Sequence, residues 1–136
     1  MEKTNPSIRS TDFGDVTGYF AVDKTHKLLV LSFRGSSTLS NWIANLDFGL
    51  MDVSSLCSGC KAHSGFWKSW ETVAEALTLQ IEAGLESYPD YELVLTGHSL
   101  GAALAALAGT ALRNAGYTLS LVSGDILLFF FFFFFF

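Results

Sequence analysis

Tyr91-Glu92-Leu93-Val94-Leu95-Thr96-Gly97-His98-Ser99-Leu100-Gly101-Ala102-Ala103-Leu104 is the stretch that decides the fold. Tyr91 to Thr96 is an apolar run of strand length and reads as a buried strand. Gly97 to Gly101 reads as a sharp turn. Ala102 to Ala115 is an Ala/Leu-rich helix that ends at Asn114-Ala115-Gly116. Strand, turn and helix in that order form the setting in which G-x-S-x-G carries chemistry. Side chains two residues before and after Ser99 would collide with the neighbouring strand and helix, which is the physical job of the two glycines. The turn is expected to lift the Ser99 oxygen above the sheet edge. The following helix aims its free N–H groups and positive dipole end at the same spot, so Leu100 N–H is a candidate oxyanion donor. An ordinary tight turn is the plain alternative, and the strand–turn–helix context argues against it.

Upstream, Val16 to Asp23 and Lys27 to Phe33 read as two strands joined by the polar turn Lys24-Thr25-His26, a hairpin. Arg34-Gly35-Ser36 ends the second strand. Coupled to the elbow, Ser36 becomes the candidate for a second oxyanion donor. Leu39, Trp42, Ile43 and Leu46 recur at helical spacing and predict a short amphipathic helix, with Ser40, Asn41, Ala44 and Asn45 on its other face. A strand-like stretch follows, then a polar loop. The segment from Phe66 to Ser87 places Trp67, Trp70, Val73, Ala74, Leu77, Ile81 and Leu85 on one face, a core-facing helix ended by Tyr88-Pro89-Asp90. Tyr117 to Ser123 begins another strand. Strands separated by such helices predict an α/β architecture, a mainly parallel sheet with helices on its faces.

The chain has 136 residues, enough for one compact domain. Residues 1–14 read as a loose lead-in, 15–123 as the domain, and 124–136 as an aberrant apolar tail. Net charge is −5, which gives no electrostatic reason to expect nucleic acid or an anionic membrane as partner. Met1 to Pro6 shows no apolar core of a secretory signal. The apolar run Ile126 to Phe136 is eleven residues, short of the roughly twenty that a membrane-spanning helix needs. Cys57-Ser58-Gly59-Cys60 lies in a Ser/Gly loop. A local disulfide, free thiols, and metal or redox chemistry all remain open for it at this point.

Phe33-Arg34-Gly35-Ser36, Asn41-Trp42-Ile43-Ala44-Asn45-Leu46, Cys57-Ser58-Gly59-Cys60, His63-Ser64-Gly65-Phe66, Tyr88-Pro89-Asp90-Tyr91 and Thr96 to Leu104 occur in that order. Together they resemble the filamentous-fungal class 3 lipases, whose close relatives include feruloyl esterases. The similarity runs from about Gly14 to Ser123. It implies an α/β-hydrolase fold, hydrolysis of carboxylic esters such as triacylglycerols, no cofactor and no metal, an extracellular location, and a lipid–water interface as the place of work. Carried over by position, Ser99 is the nucleophile and Ser36 and Leu100 supply the oxyanion hole. Residues 39–46 become a lid centred on Trp42, and Cys57 with Cys60 a small disulfide. A short amphipathic helix beside the active loop suits a lid physically, because its apolar face can cover an acyl pocket in water and turn outward at lipid.

A serine nucleophile also needs a base and an acid to orient it. In this fold both follow the serine in the order Ser, Asp, His. The 37 residues from 100 to 136 contain one acid, Asp125, and no His. Asp125 arrives too early to match the family. The three histidines all precede Ser99: His26 in a turn, His63 in the His-x-Gly-Phe segment, and His98, expected on the opposite side of the elbow. Past Gly124 the family pattern is lost and eight Phe follow, Phe129 to Phe136, as a run of T nucleotides would encode. The sequence therefore reads as truncated relative to the family, with translation entering an intron or a shifted frame near Gly124. Poor solubility and no substantial turnover are the expectations, since a Phe tract is β-prone and sticky. Two other readings stay open at this stage: a non-catalytic lipid-binding pseudoenzyme fragment, and feruloyl-esterase-like activity.

Overall fold

The computed structural model describes residues 9–13, 16–34 and 49–124. Among the described residues seven strands and two helices follow one another: β1 (Arg9–Phe13), β2 (Val16–Asp23), β3 (Leu28–Phe33), β4 (Leu50–Asp52), β5 (Lys61–His63), α1 (Ser64–Ser87), β6 (Glu92–Gly97), α2 (Leu100–Asn114) and β7 (Leu121–Gly124). Five strands form one sheet in the order β1-β2-β3-β6-β7, and β4 with β5 makes a separate small ladder.

The β2–β3 hairpin forms where the sequence predicts it. Asp23 Oδ1 accepts the N–H groups of Thr25 and His26, each at 3.0 Å, which closes the turn. Those backbone donors and the His26 ring hold the Asp23 carboxyl below the usual carboxylate range. Residues 9–13 depart from the loose lead-in expected of them: they pair antiparallel with β2, from Arg9↔Phe20 to Phe13↔Val16. Arg-Ser-Thr-Asp-Phe shows no apolar alternation, and the strand owes its existence to the open edge of β2 rather than to its own pattern.

The parallel pairings are confined to β3, β6 and β7, so the described sheet is mixed, half antiparallel hairpin and half parallel. Leu29, Leu31 and Phe33 on β3 and Leu93 and Leu95 on β6 are buried, whereas Leu28, Val30 and Val94 are half-buried on the alternate positions. Phe33 stands opposite Gly97, so β3 and β6 end side by side. In open α/β sheets the carboxyl ends of parallel strands are where ligands bind.

α1 buries Phe66, Trp67, Trp70, Val73, Leu77, Ile81 and Gly84, a stripe at three- and four-residue steps that matches the predicted core face. Its last turn closes with Tyr88 N–H donating to Gly84 O at 2.8 Å before Pro89 stops the helix. Lys27 Nζ meets Asp90 Oδ2 at 2.9 Å, tying the hairpin turn to the turn before β6. α2 is buried along its whole first ten residues, Leu100 to Gly109, so it has no solvent face there. Small side chains make that possible, since Ala and Gly fill seven of those positions without pushing the strands away. Cys57 and Cys60 are joined in a disulfide, which removes the free-thiol and metal alternatives for that loop. The bridge closes a turn whose Val53 and Leu56 side chains lie in the core. Among the described residues no helix is long and apolar enough to cross a membrane.

Candidate active site

Ser99 lies between the end of β6 and the start of α2, and its backbone is strained. It has φ 56° and ψ −118°, one of two non-glycine residues at positive φ among those described. Such a conformation costs a side-chain-bearing residue about 1–3 kcal/mol and persists only where the surroundings impose it. Here the two glycines impose it. A Cβ on Gly97 would lie 2.7 Å from the Ala102 nitrogen and closer still to the Gly101 carbonyl. One on Gly101 would lie 2.8 Å from the Phe33 carbonyl carbon and 3.0 Å from that of Arg34. The helix N-terminus therefore touches both the strand before it and the end of β3 through bare backbone.

The first turn of α2 sorts its N–H groups. Gly101 N–H donates to His98 O at 2.9 Å, and Ala102 and Ala103 donate to Ser99 O at 3.0 and 3.4 Å. Leu100 N–H, the first of the helix, has no such carbonyl among the described residues. The Ser99 hydroxyl is buried, with the residue 8% exposed, and finds no hydrogen-bond partner among the described residues. Serine is a favoured helix cap, yet this one makes no capping bond. The turn is expected to project the Ser99 oxygen above the sheet edge; what the structure adds is that Ser99, next to the ends of β3 and β6, is buried rather than open to water.

His26 is exposed and its Nδ1 pairs with Asp23 Oδ2 at 2.8 Å. His98 is exposed beside the elbow. His63 is buried, and its Nδ1 accepts the N–H groups of Gly65 and Phe66 at 3.2 and 3.4 Å, capping α1. Sequence reading set His63 aside as structural without finding this cap, because His is not among the residue types that ordinarily cap helices. None of these rings bonds the Ser99 hydroxyl. Ser36 and the four lid residues Leu39, Trp42, Ile43 and Leu46 lie outside the described residues, as does Asp125. Arg34 is the last described residue before them, and its carbonyl carbon borders Gly101. No group of three or more His, Cys, Asp or Glu among the described residues could hold a metal ion.

Residues 30–130 match the family model described as Lipase (class 3). The chain is 44% identical over 122 residues to the secreted mono- and diacylglycerol lipase A of Penicillium cyclopium, a match covering 86% of this chain and 39% of that protein. It is 37% identical over 124 residues to the secreted mono- and diacylglycerol lipase 1 of Fusarium solani, covering 89% of this chain and 37% of the relative. Among solved structures, the triacylglyceride lipase of Rhizomucor miehei superposes with a TM-score of 0.77 at 30% identity, over 89% of this chain and 48% of that one. The chain spans about two fifths of the length of the curated relatives it matches.

Proposed function

This chain belongs to the class 3 lipase family, and from that premise we propose that it carries the nucleophile portion of a serine ester hydrolase acting on acylglycerol esters. The observation that carries the reading is Ser99: a hydroxyl held at a strained positive φ by two glycines, buried, and without a partner among the described residues. Structural serines are relaxed and bonded. A buried serine that is neither supports the nucleophile reading.

In the proposed reaction Ser99 Oγ adds to the ester carbonyl as a base removes its proton. The carbonyl oxygen becomes an oxyanion, and Leu100 N–H at the positive end of α2 supports it. Ser36 N–H is the proposed second donor, and residues 39–46, centred on Trp42, the proposed lid; both assignments rest on the resemblance. Collapse of the adduct releases the alcohol and leaves an acyl group on Ser99, which water then removes with the same base. The sequence has no His beyond Ser99, so this chain by itself is proposed not to turn over ester. An extracellular setting at a lipid–water interface is part of the proposal, supported by relatives named as secreted.

A fluorophosphonate probe tests the reading on the folded, soluble chain. Slow covalent labelling at Ser99, abolished in Ser99→Ala, is the expected result, slow because no base assists. Labelling at other serines only, or none, refutes the nucleophile. Steady ester turnover by this chain overturns the statement that the base lies elsewhere.

A further inference from the structure

We propose that His63 is an acid-sensitive clasp at the start of α1: the neutral ring closes the helix, and a proton on it opens the first turn. The backbone dictates which form is needed. The N–H groups of Gly65 and Phe66 can only donate, and both converge on Nδ1 at 3.2 and 3.4 Å. A nitrogen accepting there carries no proton, so the neutral ring holds its hydrogen on Nε2. Protonation would turn Nδ1 into a donor facing two donors. It would also place a positive charge, on a residue only 4% exposed, at the positive end of a 24-residue helix.

The ring is also held in place. It packs on the Phe66 ring with centroids 4.8 Å apart, and the His63 backbone pairs with Leu50 across the β4–β5 ladder. Beside it Ser64 N–H donates to Gly49 O at 3.0 Å, so one corner joins the ladder to the helix. The charged residues on the described elements that meet there are Asp52 of β4, Lys61 of β5, and Lys68 and Glu71 of α1, all of them exposed. Asp52 is engaged with Ser54, whose N–H it accepts at 2.7 Å. The other two histidines differ in kind. His26 is exposed, its Nδ1 against Asp23 Oδ2, and His98 is exposed, so neither ring caps a buried helix start.

The sign of the effect follows from proton counting. An unfolded chain takes a proton on His63 near pH ~6.5, whereas the closed clasp refuses it. Below that pH the unfolded state binds more protons, and the folded state loses ground as pH falls. The test is urea unfolding of the full chain between pH 8 and 5, for wild type, His63→Asn and His26→Gln. The wild-type unfolding constant is expected to rise as pH drops from about 6.5, at a slope approaching the tenfold per pH unit that one linked proton allows. His63→Asn keeps an acceptor that does not titrate and removes that part of the slope. His26→Gln keeps it. Equal slopes for wild type and His63→Asn overturn the proposal. Should His63→Asn fail to fold, nitrogen-15 NMR of the wild-type ring decides: an Nε2–H tautomer in the folded chain at pH 6 supports the clasp, and an imidazolium there refutes it.

Discussion

The two helices of the described chain begin in opposite ways. α1 starts from His63, at φ −59° and ψ 124°, whose ring satisfies two backbone donors. α2 starts from Ser99, at φ 56° and ψ −118°, whose hydroxyl satisfies none. Both residues are buried. The relaxed start uses a residue seldom chosen as a cap, and the strained start uses one that caps well and does not. What separates them is therefore not residue preference but purpose: one side chain completes a helix, and the other is withheld from it.

The contrast breaks most severely at the glycines. Gly101→Val puts branched bulk against the Phe33 and Arg34 backbone, which cannot give as a side chain would, and is expected to cost at least about 3 kcal/mol or abolish folding. A urea midpoint close to wild type would show that the elbow is not locked. At neutral pH His63→Ala leaves two first-turn donors without their acceptor and is expected to cost about 1–2 kcal/mol, read from the same titration. Ser99 should behave in the opposite sense. Removing an unpartnered buried hydroxyl in Ser99→Ala should leave stability unchanged or raised by up to about 1 kcal/mol, and Ser99→Gly should add relief of the positive φ. A loss above about 1 kcal/mol in Ser99→Ala would mean that the hydroxyl is structural, and the comparison would fail.

The smallest effect belongs to the exposed Lys27–Asp90 pair, far from both helix starts. The Lys27 ammonium holds the Asp90 carboxyl below its ordinary value, so any stabilisation is present at neutral pH and fades as pH falls through the carboxylate range. Asp90→Asn should flatten that acid limb slightly and leave the neutral midpoint near wild type, since exposed pairs contribute little.

Much of this was legible in the residues, for identifiable reasons. The stripe from Trp67 to Leu85 and the apolar run from Leu93 to Leu95 announce a helix and a strand because burial repeats at their periods. The elbow is readable because Gly-x-Ser-x-Gly pairs a chemical group with the steric vacancies that position it. β1 was not readable, since an edge strand of Arg, Ser, Thr and Asp is specified by its partner's free edge. The His63 cap was hidden by residue type. The burial of Ser99 was missed because a local motif gives the direction of a side chain and not what closes over it. For Cys57 and Cys60 spacing alone left alternatives that the fold resolved.

The contact of Gly101 with the ends of β6 and β3 has a mechanical meaning. No rotamer stands between these segments, so no side-chain torsion can take up a small displacement. The elbow and the end of β3 at Phe33 and Arg34 are geared together like toothed parts without backlash. Such a joint gives up adaptability for alignment, so sequence change at the elbow has little room that does not also move the end of β3.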